Sequence, residues 1–265
     1  MCSKAKTPER SIRIIEAIRN RDGANLEELD DTLEISRSTI HRHLQTLIEH
    51  GYITREGEHY HIGLKFLNLG EYARSRKCGY RLVEDAIYEL HEEVNEECEF
   101  IVENAGRGIL VYESYHSESR YEGNNAATFK DSATVGTYFR LHNHAAGKAI
   151  LAGLSDERIE EIVEQWGLPS RTDRTITSRD ELRGELDAIR EQGTAYSDEE
   201  FARGLREVAR CVNDPLGNCV GALAVIGPTY RMTDSKFTRE IPALLEDHVT
   251  TLEAKIESEY LDDLR

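Results

Sequence analysis

Between Ser36 and Gly51 the chain groups side chains that could read nucleic acid. Wound as a helix, SRSTIHRHLQTLIEHG puts Ile40, Leu44, Leu47 and Ile48 on one side and Arg37, Ser38, His41, Arg42 and Gln45 on the other. The polar side carries no carboxylate before Glu49. Arg and Gln can bond base edges in pairs, and Ser, Thr and His can bond phosphates or bases. The whole chain has a formal net charge of −17. A helix face free of acid with two arginines therefore points to the DNA major groove, with Ser36 and Thr39 at the helix start as further contacts.

No comparable chemistry stands out after residue 80. There is no GxSxG and no phosphate-binding loop, because Gly147-Lys148 in LHNHAAGKAILAGL lacks the upstream glycine. His142 and His144, with Cys98, Cys211 or Cys219, do not share metal-ligand spacing on one element. Those cysteines read as small buried residues. The run Asp198, Glu199 and Glu200 reads as a solvated face. No catalytic residue, metal or cofactor is expected.

The elements around the first helix must position it. Thr7 reads as an N-cap with Pro8 at the first helical position, followed by Ile12, Ile15 and Ile18 at helical spacing and by Gly23. Asn25 and Glu28 form a capping pair for a short helix from Leu26 to Leu33, and Ser36 is the N-cap of the next. Gly51 ends that helix. TREGEHYHIG then reads as a hairpin turning at Glu56-Gly57, with Arg55 and His59 on the wing. Three helices and a hairpin make a winged helix-turn-helix over residues 1–63. Residues 64–78 read as a linker helix with Leu64, Leu67 and Tyr72 as candidate buried positions, expected in or near a homodimer interface because no single small domain covers them. Residues 79–265 mix helices at about 80–94, 144–153, 155–165, 178–192 and 235–259 with the strands EFIVEN, GILVYES and CVGALAVIG. Stretch 117–135 is polar and reads as a loop or edge. The fold class is α+β, with a largely antiparallel sheet in the second domain.

Composition sets bounds. At 265 residues and 39% hydrophobic content, the chain can bury two cores. No signal segment or membrane span is visible, and five scattered cysteines fit a reducing cytoplasm. Residues 1–63 carry net −2, residues 64–80 net +3 and residues 81–265 net −18. Twenty-five Arg stand against eight Lys. An acidic, lysine-poor surface fits a halophilic cytoplasm.

The chain resembles the IclR family of transcriptional regulators. The N-terminal likeness lies in PERSIRIIEAI, ISRSTIHRHLQTLIEHGYI and YHIGLKFLNLG, and the C-terminal likeness in LHNHAAGKAILAGL, GTAYSDEEFARGL and GALAVIGPTYRMT. The resemblance implies a homodimer or homotetramer on a palindromic double-stranded operator. It also implies a GAF/PAS-like domain whose pocket takes a small metabolite, such as a carboxylic acid or a sugar-derived compound. By resemblance the pocket falls on Phe139, Ala145, Ala146, Ser197, Leu205, Glu207, Ala224 and Ile226. The free N–H groups at Ala145 to Gly147 would suit a ligand oxygen. Glu207 stands where the family commonly has Cys or a small residue, Arg210-Cys211 where Ala-Pro is frequent, and Ala224 and Ile226 replace hydroxyl residues of some members. Glu207 should either turn outward to solvent at a strand edge or bind donor groups of the ligand. A metal- or redox-responsive regulator, or an enzyme-like C-terminal domain recruited to DNA, is the alternative.

Overall fold

The computed structural model describes residues 5–76, 78–114 and 134–263. Residues 117–133 of the expected polar loop lie outside that set. The chain forms two compact units, Met1–Arg76 and Lys77–Arg265.

The first unit contains α1 (Lys6–Asn20), α2 (Leu26–Thr32), α3 (Arg37–Glu49), β1 (Ile53–Glu56), β2 (His59–Ile62) and α4 (Lys65–Ser75). Ile14 and Ile18 of α1 pack with Leu29, Ile40, Leu44, Ile53 and Tyr60 in one core. The expected stripe in α1 is shifted. Ile14, Ala17 and Ile18 are buried, while Ile12 is exposed. The helix also begins earlier, at Lys6, with no side-chain cap. Thr7 and Pro8 thus sit inside the first turn, where the missing proline N–H would have no helical partner anyway.

The capping pair of α2 is present. Asn25 Oδ1 accepts from the Glu27 and Glu28 N–H groups at 3.0 Å each, and Glu28 Oε2 accepts from Asn25 N–H at 2.8 Å. Ser36 occupies the N-cap position of α3 without making the cap bond. Its hydroxyl lies 2.9 Å from Thr39 Oγ1 instead. Gly51 adopts φ +76°, the left-handed geometry that closes α3. The hairpin pairs Glu56 with His59, and backbone bonds between Ala24 and Tyr60 tie it to the helices. No residue of α4 is buried: Leu64 and Tyr72 are 81% and 68% exposed, and Leu67 is exposed too. Within this unit the aromatic contact of α4 runs through Phe66, edge-on to Tyr52.

The second unit comprises α5 (Cys78–Val94), β3 (Glu97–Asn104), β4 (Arg107–Ser114), β5 (Tyr138–Phe139), a 3₁₀ turn at Leu141–Asn143, α6 (Ala145–Ala152), α7 (Asp156–Trp166), α8 (Arg179–Gln192), β6 (Ala195–Asp198), β7 (Leu205–Asn213), β8 (Cys219–Pro228), a π-helical turn at Lys236–Glu240 and α9 (Ile241–Asp263). The sheet order is β5-β4-β3-β8-β7-β6, antiparallel throughout. The molecule is thus α+β, with a helix-turn-helix unit and an antiparallel-sheet unit.

Both sheet faces are covered, so the inner strands are apolar on both sides. One face sends Phe100, Val208, Leu223 and Val225 into a core with Val83, Ile87 and Leu90 of α5 and Ile241, Leu245 and Leu252 of α9. The opposite face presents Ala195, Ala209, Ala222 and Ala224 to α6 and α8. These small residues let α6 lie close to the sheet. Gly147 tightens the same region, since a Cβ there would collide with the Leu141 carbonyl.

Candidate functional sites: an exposed helix face and a buried carboxylate cluster

On α3, Ile40 and Leu44 are buried, and Ser36, Arg37, Ser38, His41, Arg42 and Gln45 are exposed, with Thr39 half-buried. Helical periodicity alone separates these two groups. His43, missed at the sequence level, is half-buried and meets Ser11 Oγ at 2.8 Å, linking α3 to α1. Burial, then Arg10, then Arg42, hold its pKa below the usual value. Arg10 is therefore a further cation beside the face. On the wing, Arg55 and His59 are exposed. Arg55 Nε donates to the Gly57 carbonyl at 2.9 Å, and its guanidinium lies 5.7 Å from the Tyr60 ring centroid. The arrangement presents cations and amide groups to solvent on a rigid helix, which suits phosphate and base contacts.

In the second unit the pleat carries Leu205, Glu207, Ser197, Ala224 and Ile226 to the sheet face on which α6 packs. Ala145 and Ala146 open that helix, and the Phe139 ring lies 4.2 Å from that of His144. The eight expected pocket residues thus gather in one region. Glu207 behaves otherwise than expected. It is 2% exposed, and its two oxygens accept from Ala145 N–H at 2.8 Å and Ala146 N–H at 3.0 Å. It neither turns outward nor sits solvated at a strand edge, because β7 is an inner strand. The donors expected to be free at the start of α6 are also taken. Burial pushes the Glu207 pKa up, but the His144 ring and the two N–H groups overrule it and hold it below the usual carboxylate range. His144 Nδ1 lies 3.4 Å from Glu207 Oε2, outside hydrogen-bond geometry.

Three more carboxylates share this face. The register aligns Glu113, Glu99 and Ala224 in one row, and Glu97, Ile226 and Glu207 in the next. Burial, then Glu97, Glu207 and Glu113, push Glu99 well above the usual range. Burial and then Glu113 push Glu97 up to about 7, against the pull of Arg231. Sequence reading passed over them because Glu97 and Glu99 alternate with Cys98 and Phe100. That pattern describes a half-solvated strand unless both faces are covered. The alternation of acid inside the chain's inner strands was the available signal.

Lys148 is a second buried charge. At 1% exposed it bonds Glu200 at 2.6 Å and Glu185 at 2.7 Å. Glu200 is buried, which corrects the reading of residues 198–200 as a solvated run. Hydrogen bonds from Thr172 and Thr175 to its backbone carbonyl hold that segment inward. Cys211 and Cys219 touch across β7 and β8, and the hydrogen bond to Cys219, then burial, push the Cys211 thiol far up. A thiol kept protonated lacks the thiolate on which redox sensing depends.

Two family descriptions match this architecture: "IclR helix-turn-helix domain" over residues 7–57 and "Bacterial transcriptional regulator IclR C-terminal" over residues 81–253. The chain belongs to the IclR family. A Halobacterium salinarum relative named "Probable HTH-type transcriptional regulator ArcR" is 31% identical across 94% of this chain and 92% of its own. Among solved structures, the Thermotoga maritima IclR superposes with a TM-score of 0.74 at 21% identity, over 94% of this chain and 98% of that one. An IclR homologue from Microbacterium hydrocarbonoxydans, complexed with 4-hydroxybenzoate, gives 0.77 at 18% identity, over 95% and 99%.

As a member of the IclR family, the protein is a DNA-binding transcriptional regulator with a C-terminal effector-binding domain. Its relatives are regulators and not enzymes. Among the described residues, no helix is long and apolar enough to cross a membrane.

Proposed function

We propose that this IclR-family regulator reads a palindromic operator as a homodimer or homotetramer in a high-salt cytoplasm. Arg37, Ser38, His41, Arg42 and Gln45 enter the major groove. Ser36 and Thr39 contact phosphates, and Arg55 and His59 touch the backbone or minor groove. The observation that supports this is the exposed side of α3, which has no acid in its first turn and lies opposite buried Ile40 and Leu44. A base-reading arginine contributes about 1–3 kcal/mol of discrimination. At high salt, counterion release adds little, so selectivity leans on such base contacts. Binding of wild type and Arg42→Ala to operator and to scrambled DNA tests the assignment. Unchanged sequence preference in the variant refutes it.

Exposed Leu64, Leu67 and Tyr72 support assembly along the linker helix, with a two-fold symmetric operator to match. A monomer by light scattering at micromolar protein and high salt refutes that part. The effector site comprises Phe139, Ala145, Ala146, Ser197, Leu205, Glu207, Ala224 and Ile226. Its support is their convergence beside α6, together with the ligand carried by the Microbacterium homologue. The acidic, lysine-poor composition supports the high-salt setting.

A further inference from the structure

Of the four carboxylates on the α6 side of the sheet, Glu207 is satisfied and Glu99 is not. Glu207 takes both N–H groups at the start of α6. Glu99 is 4% exposed and makes no ion pair or hydrogen bond among the described residues. Glu113 Oε2 is likewise buried without a partner. Arg231, the cation acting on Glu97, is bound to Glu96 at 2.9 Å. A second buried polar group without a hydrogen bond, the His144 ring, lies beside Glu207, with its Nδ1 3.4 Å from Glu207 Oε2. His144 is 3% exposed, neither ring nitrogen has a hydrogen-bond partner, and the ring lies between Phe139 and Phe201 at 4.2 and 4.0 Å. Buried polar atoms of this kind call for a partner.

We propose that the effector is a small organic cation, bearing an ammonium or guanidinium group that binds Glu99 and its neighbouring carboxylates. The inference rests on the reading of this region as the effector site. Like charges gathered in a low-dielectric interior repel, and a bound cation removes that repulsion while making charge-assisted hydrogen bonds. A carboxylate ligand meets the opposite situation. The helix donors that would receive it hold Glu207. A metal ion fits poorly, since among the described residues no three His, Cys, Asp or Glu side chains are placed to hold one. The Phe201 ring already carries a cation of this kind, the Arg171 guanidinium 4.1 Å from its centroid.

The charged groups acting on Glu99 are Glu97 on β3, Glu207 on β7 and Glu113 on β4; His144 lies beside Glu207, Arg231 acts on Glu97, and Arg171 lies over the Phe201 ring. A bound cation favours their ionised forms, so binding releases protons and tightens as pH rises through about 7, where Glu97 titrates.

The test uses the full-length protein in concentrated KCl, with n-butylguanidinium, n-butylammonium, butyrate and gluconate as probes, followed by calorimetry and thermal shift. The expected result is that a butyl cation binds at least about tenfold tighter than butyrate, with proton release seen by comparing two buffers. Glu99→Gln, nearly isosteric and relieved of repulsion, folds and weakens cation binding by about tenfold. If butyrate or gluconate binds as well as the cations, the ligand class is wrong and the effector site stands. If no probe binds, or the cations shift the melting temperature no more than equal added KCl, both readings fall.

Discussion

The polar side of α3 and the carboxylate cluster beneath α6 handle charge in opposite ways. Arg37 and Arg42 stand in solvent on a helix whose far side is packed, so their charges cost the fold nothing. Glu207, Glu99 and Lys148 are buried, and each must be matched or pay in desolvation. Lys148 is matched by Glu200 and Glu185, and Glu207 by a helix start, while Glu99 has no partner among the described residues. Exposed charges here are available to bind a partner directly. Among buried charges, the unmatched one is informative.

Substitutions can sharpen that contrast. Lys148→Met should have the largest effect. It strands buried Glu200, and removing one member of a buried pair costs about 3–5 kcal/mol. Urea unfolding measures it, and a loss below about 1 kcal/mol would place this pair with the weak surface bridges. Arg42→Ala should cost about 1–3 kcal/mol in operator selectivity and leave the unfolding midpoint unmoved. A fall in stability instead would make the residue a packing element of α3.

The next effect depends on pH. The folded-state pKa values of Glu99 and Glu97 are raised, the latter to about 7. Their stabilising contribution is complete below the unfolded carboxylate value of 4.5 and is lost as pH rises through their folded values, about 7 for Glu97. Glu207 has the opposite sign: its depressed pKa stabilises above 4.5 and is lost as pH falls through its folded value. Ligand-free protein should therefore melt higher near pH 5.5 than near pH 8. Glu99→Gln should flatten that slope and stabilise by about 1–2 kcal/mol at pH 8. Melting curves that rise with pH would refute the sign.

The smallest effects separate two caps. Asn25→Ala removes both bonds that Asn25 Oδ1 accepts and should cost about 1 kcal/mol. Ser36→Ala should cost less than about 0.5 kcal/mol, because that hydroxyl makes no cap bond. Equal losses would show that Ser36 caps α3 in solution.

The N-terminal unit was legible in the sequence because its information is local. Asn25 and Glu28 meet three residues apart, Gly51 closes its own helix, and the two sides of α3 follow from one turn length. The strands and helices of the second unit were legible for the same reason. Errors arose where a side chain's neighbour was not local. Glu207 read as turned outward or bound to a ligand, but its partners, the Ala145 and Ala146 N–H groups, lie 62 and 61 positions away along the chain.

The sequence by itself determined a winged helix-turn-helix with an acid-free helix face, followed by an antiparallel α+β domain. Periodicity and capping act over three or four residues and suffice for that. Only the tertiary structure decided that Glu207 lies under α6, that Glu97, Glu99 and Glu113 share its face, and that Lys148 is paired. Glu207 meets Ala145 across 62 positions, and Glu99 reaches its row with Ala224 through strand register. Burial of those carboxylates comes from a helix that closes over the sheet, and the free energy that favours closure is spread over the whole apolar core rather than carried by the acidic residues themselves.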